Sequence, residues 1–221
     1  MRSRLSAVVG VLTIVVTGVV LLGTLLWMAW LWWRTPGIVR AAEAGIAAPF
    51  DPTELRAGWI SDLLAIEDPA FFSHHGIDLW TPGGGWTTIS QGLAKDLYFE
   101  EFRPGPMAKL EQSLAALVLD ARVSKDRQLR LFLGRVYMGE APGGPVHGFS
   151  SAAQTWLGKD ILELDRSEFL SLVAMVIGPN EYGVATRPQR NAERRGRIER
   201  LLAGACRPTG WGDVTYEACA R

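Results

Sequence analysis

The chain has 221 residues, with 23 Lys and Arg against 23 Asp and Glu, three His, two Cys and 48% hydrophobic residues. A net charge of zero lacks the basic surplus of a nucleic-acid binder, nine tryptophans speak against disorder, and two cysteines are too few for a zinc ribbon or a disulfide-built miniprotein. The length suits one ordinary globular domain with an appendage.

The appendage comes first. Leu5 to Trp33 is a run of 29 residues without a charge, between Arg2 and Arg4 on one side and Arg34 on the other. At a rise of about 1.5 Å per residue it spans a hydrocarbon core of roughly 30 Å, with length to spare for tilt. Trp27, Trp30, Trp32 and Trp33 cluster at its far end, where an interfacial aromatic belt belongs. A cleaved signal peptide has a shorter apolar core, and Ala29 and Ala41 to Ala42 are weak cleavage candidates. The expectation is an uncleaved transmembrane anchor over 5–33 and a linker over 34–52. Arg2 and Arg4 outweigh Arg34, which places the remaining 187 residues, 20 basic and 23 acidic, outside the cytoplasm.

The segment 53–205 reads as an all-α, mainly helical domain. Helical spacing recurs over 53–66 (Leu55, Trp59, Leu63, Leu64), over 87–98 behind a Thr87 N-cap (Ile89, Leu93, Leu97), and over 107–122 (Leu110, Leu114, Leu117, Val118). Ser124 is the expected N-cap of a further helix carrying Leu129, Leu131, Phe132, Leu133 and Val136. Segments 150–157, 166–177 and 187–204 follow, the last strongly basic, and no stretch alternates long enough to predict a strand. The connectors are rich in breakers: Thr81-Pro82-Gly83-Gly84-Gly85, Arg103-Pro104-Gly105-Pro106 and Ala141-Pro142-Gly143-Gly144-Pro145. In the tail, 206–221, Cys206 and Cys219 are expected to close a small disulfide loop in an oxidising compartment, the alternative being two free thiols.

Three clusters carry titratable groups. Glu67-Asp68-x-x-Phe71-x-x-His74-His75-Gly76-Ile77-Asp78 follows an apolar helix, so desolvation would raise the Glu67 carboxyl toward a useful general base. Taken singly it is also a helix-terminal carboxylate pair with two surface histidines; a metal site on His74, His75 and Asp78 lacks a recognisable ligand spacing. Gly83 to Lys95 is a glycine-rich loop feeding a helix, whose free N–H groups and dipole suit an anion, with Thr87, Thr88, Gln91 and Lys95 near one face. No Gly-Lys-Ser/Thr triplet makes it a nucleotide loop, and alone it is a linker with a capped helix. Lys109-Leu110-Glu111-Gln112 and Leu119 to Arg127, with Lys125, alone read as a solvated helix face and a turn.

In this order the clusters resemble the peptidoglycan glycosyltransferase family, the monofunctional transglycosylases and glycosyltransferase domains of class A penicillin-binding proteins. The family pattern Glu-Asp-x-x-Phe-x-x-His-x-Gly is met by Glu67, Asp68, Phe71, His74 and Gly76. Leu119 to Arg127, Val136-Tyr137-Met138-Gly139, Gly148 to Ala152, Gly158, Pro188 and Arg194-Arg195 resemble later elements, so the likeness covers about 55–203. It implies a lysozyme-like, two-lobe domain behind the anchor in a bacterial cytoplasmic membrane, with the domain on the periplasmic side. The implied substrate is lipid II, added to nascent glycan strands with inversion. Glu67 is the implied base, and Lys95, Lys109, Lys125, Thr87 and Gln91 the implied pyrophosphate contacts, with Asp68, Phe71, His74 and Thr88 also placed in the substrate site.

Departures accompany the likeness. Gln112 stands where the family has its second glutamate, with Glu111 one place and about 100° away on the helix, and either Gln112 or a displaced Glu111 is the expected catalytic aid to the leaving group; Ala108 stands for an arginine. Trp86 replaces a glycine, Thr87 a serine, Gly92 a glutamine and Asp96 an asparagine, and the stretch from Asp78 to Gly83 is short. The expected alternatives to a polymerase are a degenerate member that binds lipid II or glycan as a scaffold, and a glycan-cleaving lytic enzyme. No cofactor is required; a divalent cation is an option without a carboxylate cage to demand it. Crosslinking is expected to fall to a separate transpeptidase or other cell-wall synthesis proteins.

Overall fold

A computed structural model describes residues 2–220. The side chains of Arg2 and Arg4, on which the orientation argument rests, lie outside the described residues. The first helix, α1 (Arg2–Ala44), carries the apolar run, exposed over residues 9–23 as a lipid-facing helix requires. It does not stop at Trp33. Residues 34–44, expected as linker, continue the helix through Pro36, because Leu31, Thr35, Val39 and Ala42 form a buried stripe against the domain. The buried Thr35 hydroxyl is 2.8 Å from the Tyr98 hydroxyl, and Glu43 takes a bidentate pair from Arg127 at 2.5 and 2.7 Å.

The domain that follows is mainly helical: α2 (Trp59–Glu67), α3 (Ile89–Tyr98), α4 (Pro106–Arg122), α5 (Lys125–Arg135), α6 (Phe149–Ala152), α7 (Arg166–Met175), α8 (Pro179–Tyr182) and α9 (Pro188–Leu202). The helix expected over 53–66 begins only at Trp59. Pro52–Glu54 is a single 3-10 turn capped by Asp51, and Gly58, at φ 89°, makes the break that a side chain would resist. The N-cap of α3 is Thr88 rather than Thr87: its hydroxyl accepts from the Gln91 N–H and the Gln91 side chain accepts from the Thr88 N–H, a complete capping box. Ser124 precedes α5 but makes no side-chain cap.

Two strands stand where none was predicted. Tyr137–Ala141 (β1) and Gly144–His147 (β2) form an antiparallel hairpin, in register at Ala141 and Gly144 and irregular between Tyr137 and Glu140. At five and four residues they are too short for a periodic signal, and the Pro-Gly-Gly-Pro breaker is their turn.

The helices gather in two groups. The end of α1 packs with α3 and α4; α7 packs with α2, α8 and α9. Phe169 to Met175 of α7 are all buried, and Trp59 stacks on Phe169 with ring centroids 4.5 Å apart. Helix α5 and the hairpin lie between the groups, and the gap beside them is the site.

Candidate active site

The buried face of α2 (Trp59, Leu63, Leu64, Ile66) seats the helix against α7, so its last residue, Glu67, emerges at the wall of a cleft of about 850 Å³. The residue touches the cleft, yet its Oε1 is sealed from solvent and has no hydrogen-bond partner. Burial pushes the carboxyl up to about 7, Arg194 opposes the rise and the neighbouring Asp68 adds to it. An acid poised near neutrality, unpaired and facing a cleft, has the properties of a general base.

Asp68 is turned the other way. Its carboxylate takes the His74 Nε2 proton at 3.0–3.1 Å and the Ile89 N–H at 2.9 Å. The Gly76 N–H donates to His74 Nδ1, which fixes the ring tautomer with its proton toward Asp68. Lys125 pairs with Asp120 at 2.7 Å and lies 4.6 Å above the buried Phe71 ring. Asp68, Phe71, His74 and Lys125 were all expected to meet substrate, yet none lines the cleft; together they brace its floor. Of the two histidines read as surface groups, His75 is exposed and His74 is buried.

The glycine loop also departs from expectation. Its N–H groups are not free for an anion: Gly83 donates to Gly210 O, Gly84 to Thr81 O and Gly85 to Trp211 O. The start of α3 is closed too, by Gln91 on Thr88, Asp68 on Ile89 and Thr88 on Gln91. Gln91 is therefore a buried capping residue and Thr88, although on the cleft wall, is committed to its cap and to Gly76 O.

Positive charge reaches the cleft from lysines instead. Lys95 lines it, and Lys109 reaches over from α4 to donate to Thr87 Oγ1 at 3.0 Å and Gln112 Oε1 at 3.2 Å. Burial, and then the charge of Lys95, lower the Lys109 ammonium to about 8. Gln112 is buried, with its Nε2 given to Gln91 O at 2.8 Å. Helix α4 runs unbroken from Pro106 to Arg122, so Glu111 stays on its exposed face, outside the site. The cleft's other carboxylates are Asp96, held by Arg135 at 2.6 Å, and Glu100; no three acidic or imidazole groups gather as a cation site among the described residues.

Sequence reasoning missed the opposite wall. Arg194 of α9 and Val214 of the tail line the cleft beside Glu67. Cys206 and Cys219 are bonded, with Cα atoms 5.5 Å apart. The basic face of α9 is the signal that could have pointed there. Arg194, Arg197 and Arg200 donate to the carbonyls of Val214, Thr215 and Cys219, so the arginines hold the tail instead of facing solvent.

The domain is mainly helical, consistent with a lysozyme-like transglycosylase fold, and carries a half-buried glutamate at the cleft between its helix groups. The profile of the transglycosylase family matches residues 50–203, and the chain belongs to that family. It is 33% identical over 156 residues to penicillin-binding protein 1B of Escherichia coli K12, 65% of this chain and 18% of that protein. Penicillin-binding protein 1B of Vibrio cholerae is 31% identical over 156 residues, 65% of this chain and 20% of that one. Penicillin-binding protein 1F of Bacillus subtilis 168 is 29% identical over 160 residues, 66% and 21%. The chain thus spans about a fifth of the length of these relatives, as a divergent homologue of their transglycosylase domain. Its single apolar N-terminal helix is consistent with single-pass anchoring in the inner membrane and an extracytoplasmic domain.

Proposed function

We propose that the protein polymerises lipid II into glycan strands, with Glu67 as general base. The observation that carries this reading is the Glu67 carboxyl at about 7, its Oε1 sealed and unpaired, on the wall of a cleft that Lys95 also lines and that Lys109 approaches through its hydrogen bond to Thr87. Glu67 would take the proton of the acceptor's N-acetylglucosamine 4-hydroxyl as that oxygen attacks C1 of the donor's N-acetylmuramic acid. The C1–O bond to the undecaprenyl pyrophosphate breaks on the opposite face, which inverts C1. The charge developing on the departing pyrophosphate is met by Lys95, Lys109 and the Thr87 hydroxyl, donors grouped within one corner of the cleft. Transpeptidases or other cell-wall synthesis proteins in the same membrane would be its partners.

One observation favours a second reading, a lipid II-binding scaffold without turnover. Gln112 is a neutral amide with both ends engaged, by Lys109 and by Gln91 O, and cannot titrate. Polymerisation of labelled lipid II by the detergent-solubilised full-length protein, beside its Glu67→Gln variant, separates the two. Polymer from the wild type and none from the variant supports the enzyme; lipid II bound but never polymerised supports the scaffold.

A further inference from the structure

The tail beyond residue 203 lies outside the segment matched by the family, yet it builds part of the Glu67 environment. It is folded against the rest of the molecule at both ends of its path. Its first half fills the glycine loop: Gly83, at φ 78°, leaves no room for a side chain beside Pro208, and Gly85, at φ 67°, leaves none beside Val214. Trp211 packs against Trp86 with ring centroids 4.2 Å apart. Its second half is gripped by the three arginines of α9 and closed onto its start by the Cys206–Cys219 bond.

At the centre of this arrangement is Tyr216. It is fully buried, holds a left-handed backbone at φ 55°, and gives its hydroxyl proton to Ile66 O at 2.7 Å, the carbonyl one residue before Glu67. A non-glycine residue in that conformation persists only where its surroundings over-determine it. The same ring stands under the Arg194 guanidinium, whose carbon lies 5.5 Å from the Tyr216 centroid and 5.3 Å from that of Tyr182. Arg194 gives its Nε proton to Ala174 O at 3.2 Å and one from Nη1 to Val214 O at 2.8 Å; these two bonds turn it toward α7 and the tail, and it makes no hydrogen bond to the Glu67 Oε1.

We infer that the disulfide-closed tail is a positioning element for the catalytic carboxylate, in which Tyr216 fixes the end of α2 and keeps Arg194 beside Glu67 without letting the two pair. This rests on the reading of Glu67 as the general base. The groups facing Glu67 are Asp68 from its own turn, Arg194 from α9 and Tyr216 from the tail, whose phenol burial pushes upward and so keeps it a proton donor. Opening the tail acts on Glu67 in one direction. Water reaches the carboxyl, and Arg194 is released from Val214 O and from the Tyr216 ring to pair with it; both favour the carboxylate and make it a weaker base.

The test uses the full-length protein in detergent in three forms: untreated, reduced, and as Tyr216→Phe, with a Cys206→Ser/Cys219→Ser variant as a control that reductant leaves unchanged. The first readout is the pH profile of lipid II polymerisation; the second is the titration midpoint of the Glu67 carboxyl by carbon-13 NMR, identified by its loss in Glu67→Gln. Reduction is expected to move both the acid limb and the midpoint at least one pH unit below the wild-type position, with the plateau rate lower. Tyr216→Phe keeps the ring and is expected to lower the plateau about 3- to 10-fold with KM unchanged, and to move the midpoint less far in the same direction. Reduction of the folded wild type decides the matter should a variant fail to fold. A midpoint unmoved in the reduced protein would overturn the inference. If the wild type makes no polymer, the reading of Glu67 as a base falls, and the NMR midpoint alone then supports or refutes the tail's hold on Glu67.

Discussion

The Ile89 N–H donates to Asp68 Oδ2 at 2.9 Å, so the carboxylate beside Glu67 closes the N-terminus of α3 from the end of α2. One acidic residue thereby joins the two helices that form adjoining walls of the cleft, and His74 completes its coordination. Removing the charge leaves a buried ring N–H and a buried backbone N–H competing for one amide oxygen. Asp68→Asn is expected to cost about 2–4 kcal/mol of unfolding free energy, measured by denaturant titration. Activity per folded molecule should fall far less than in Glu67→Gln; equal losses would place Asp68 in the chemistry.

Glu67 and Lys109 predict a narrow pH window. The base works once it has lost its proton, above about 7, and the ammonium helps the leaving group until it loses its own, above about 8. The polymerisation rate should therefore rise through the first value and fall through the second. A flat profile from pH 6 to 9 would remove both groups from the rate-determining step. Lys109→Met should remove the alkaline limb and lower kcat about 100-fold.

Burial of Glu67 also has a sign for stability. Its folded value, about 7, lies above the ordinary 4.5, so the native state holds the proton more tightly than the unfolded chain between those values. Stability is highest below about 4.5 as far as this group is concerned, and declines as pH rises through about 7. Glu67→Gln should thus be more stable than the wild type at pH 8, by at most about 3 kcal/mol, while losing about 100- to 10,000-fold in turnover. The thermal midpoints of the two proteins at pH 5 and pH 8 check it; a gap that does not widen with pH counts against the buried carboxyl.

Glu111 is exposed on an uninterrupted helix, whereas Gln112 is buried beside Lys109. Glu111→Ala is expected to change polymerisation no more than Glu101→Ala, at an exposed carboxylate elsewhere. Gln112→Glu, by contrast, places a carboxylate 3.2 Å from the Lys109 ammonium and should shift the alkaline limb upward. Rate profiles of the three variants under one set of conditions distinguish these outcomes.

The helices and the desolvated Glu67 carboxyl were legible in the amino-acid order because both depend on near neighbours. Apolar spacing marks α3, α4 and α5 to within a residue or two, and the placement of Glu67 at the end of an apolar helix already implied a desolvated carboxyl. What escaped was decided across long stretches of chain. Nothing around Gly83 announces that its N–H will be taken by Gly210, and nothing around Asp68 announces the Ile89 N–H. The glycine loop had the chemistry of an anion cradle until the tail filled it, and the strongly basic 187–204 segment gave no sign that its arginines would meet the tail's carbonyls. The helical course of 34–44, the first part of the linker expected over 34–52, has a related reason: Pro36 and Gly37 argue for a break locally, but the buried stripe from Leu31 to Ala42 outweighs them.

That uninterrupted helix leaves the domain no swivel. With Glu43 bound to Arg127, and Thr35 to Tyr98, the globular part and the lipid-embedded rod turn together, and the lean of the rod in the bilayer sets how high above the headgroups the cleft mouth rides. Each residue added to the helix ahead of Trp27, short of the part packed on the domain, would lift the mouth by about 1.5 Å and swing it by about 100° around the rod. The helix is a ruler and a compass at once, and a substrate tethered to the membrane by its own lipid, as the proposed one is, would be reached only at certain settings of both.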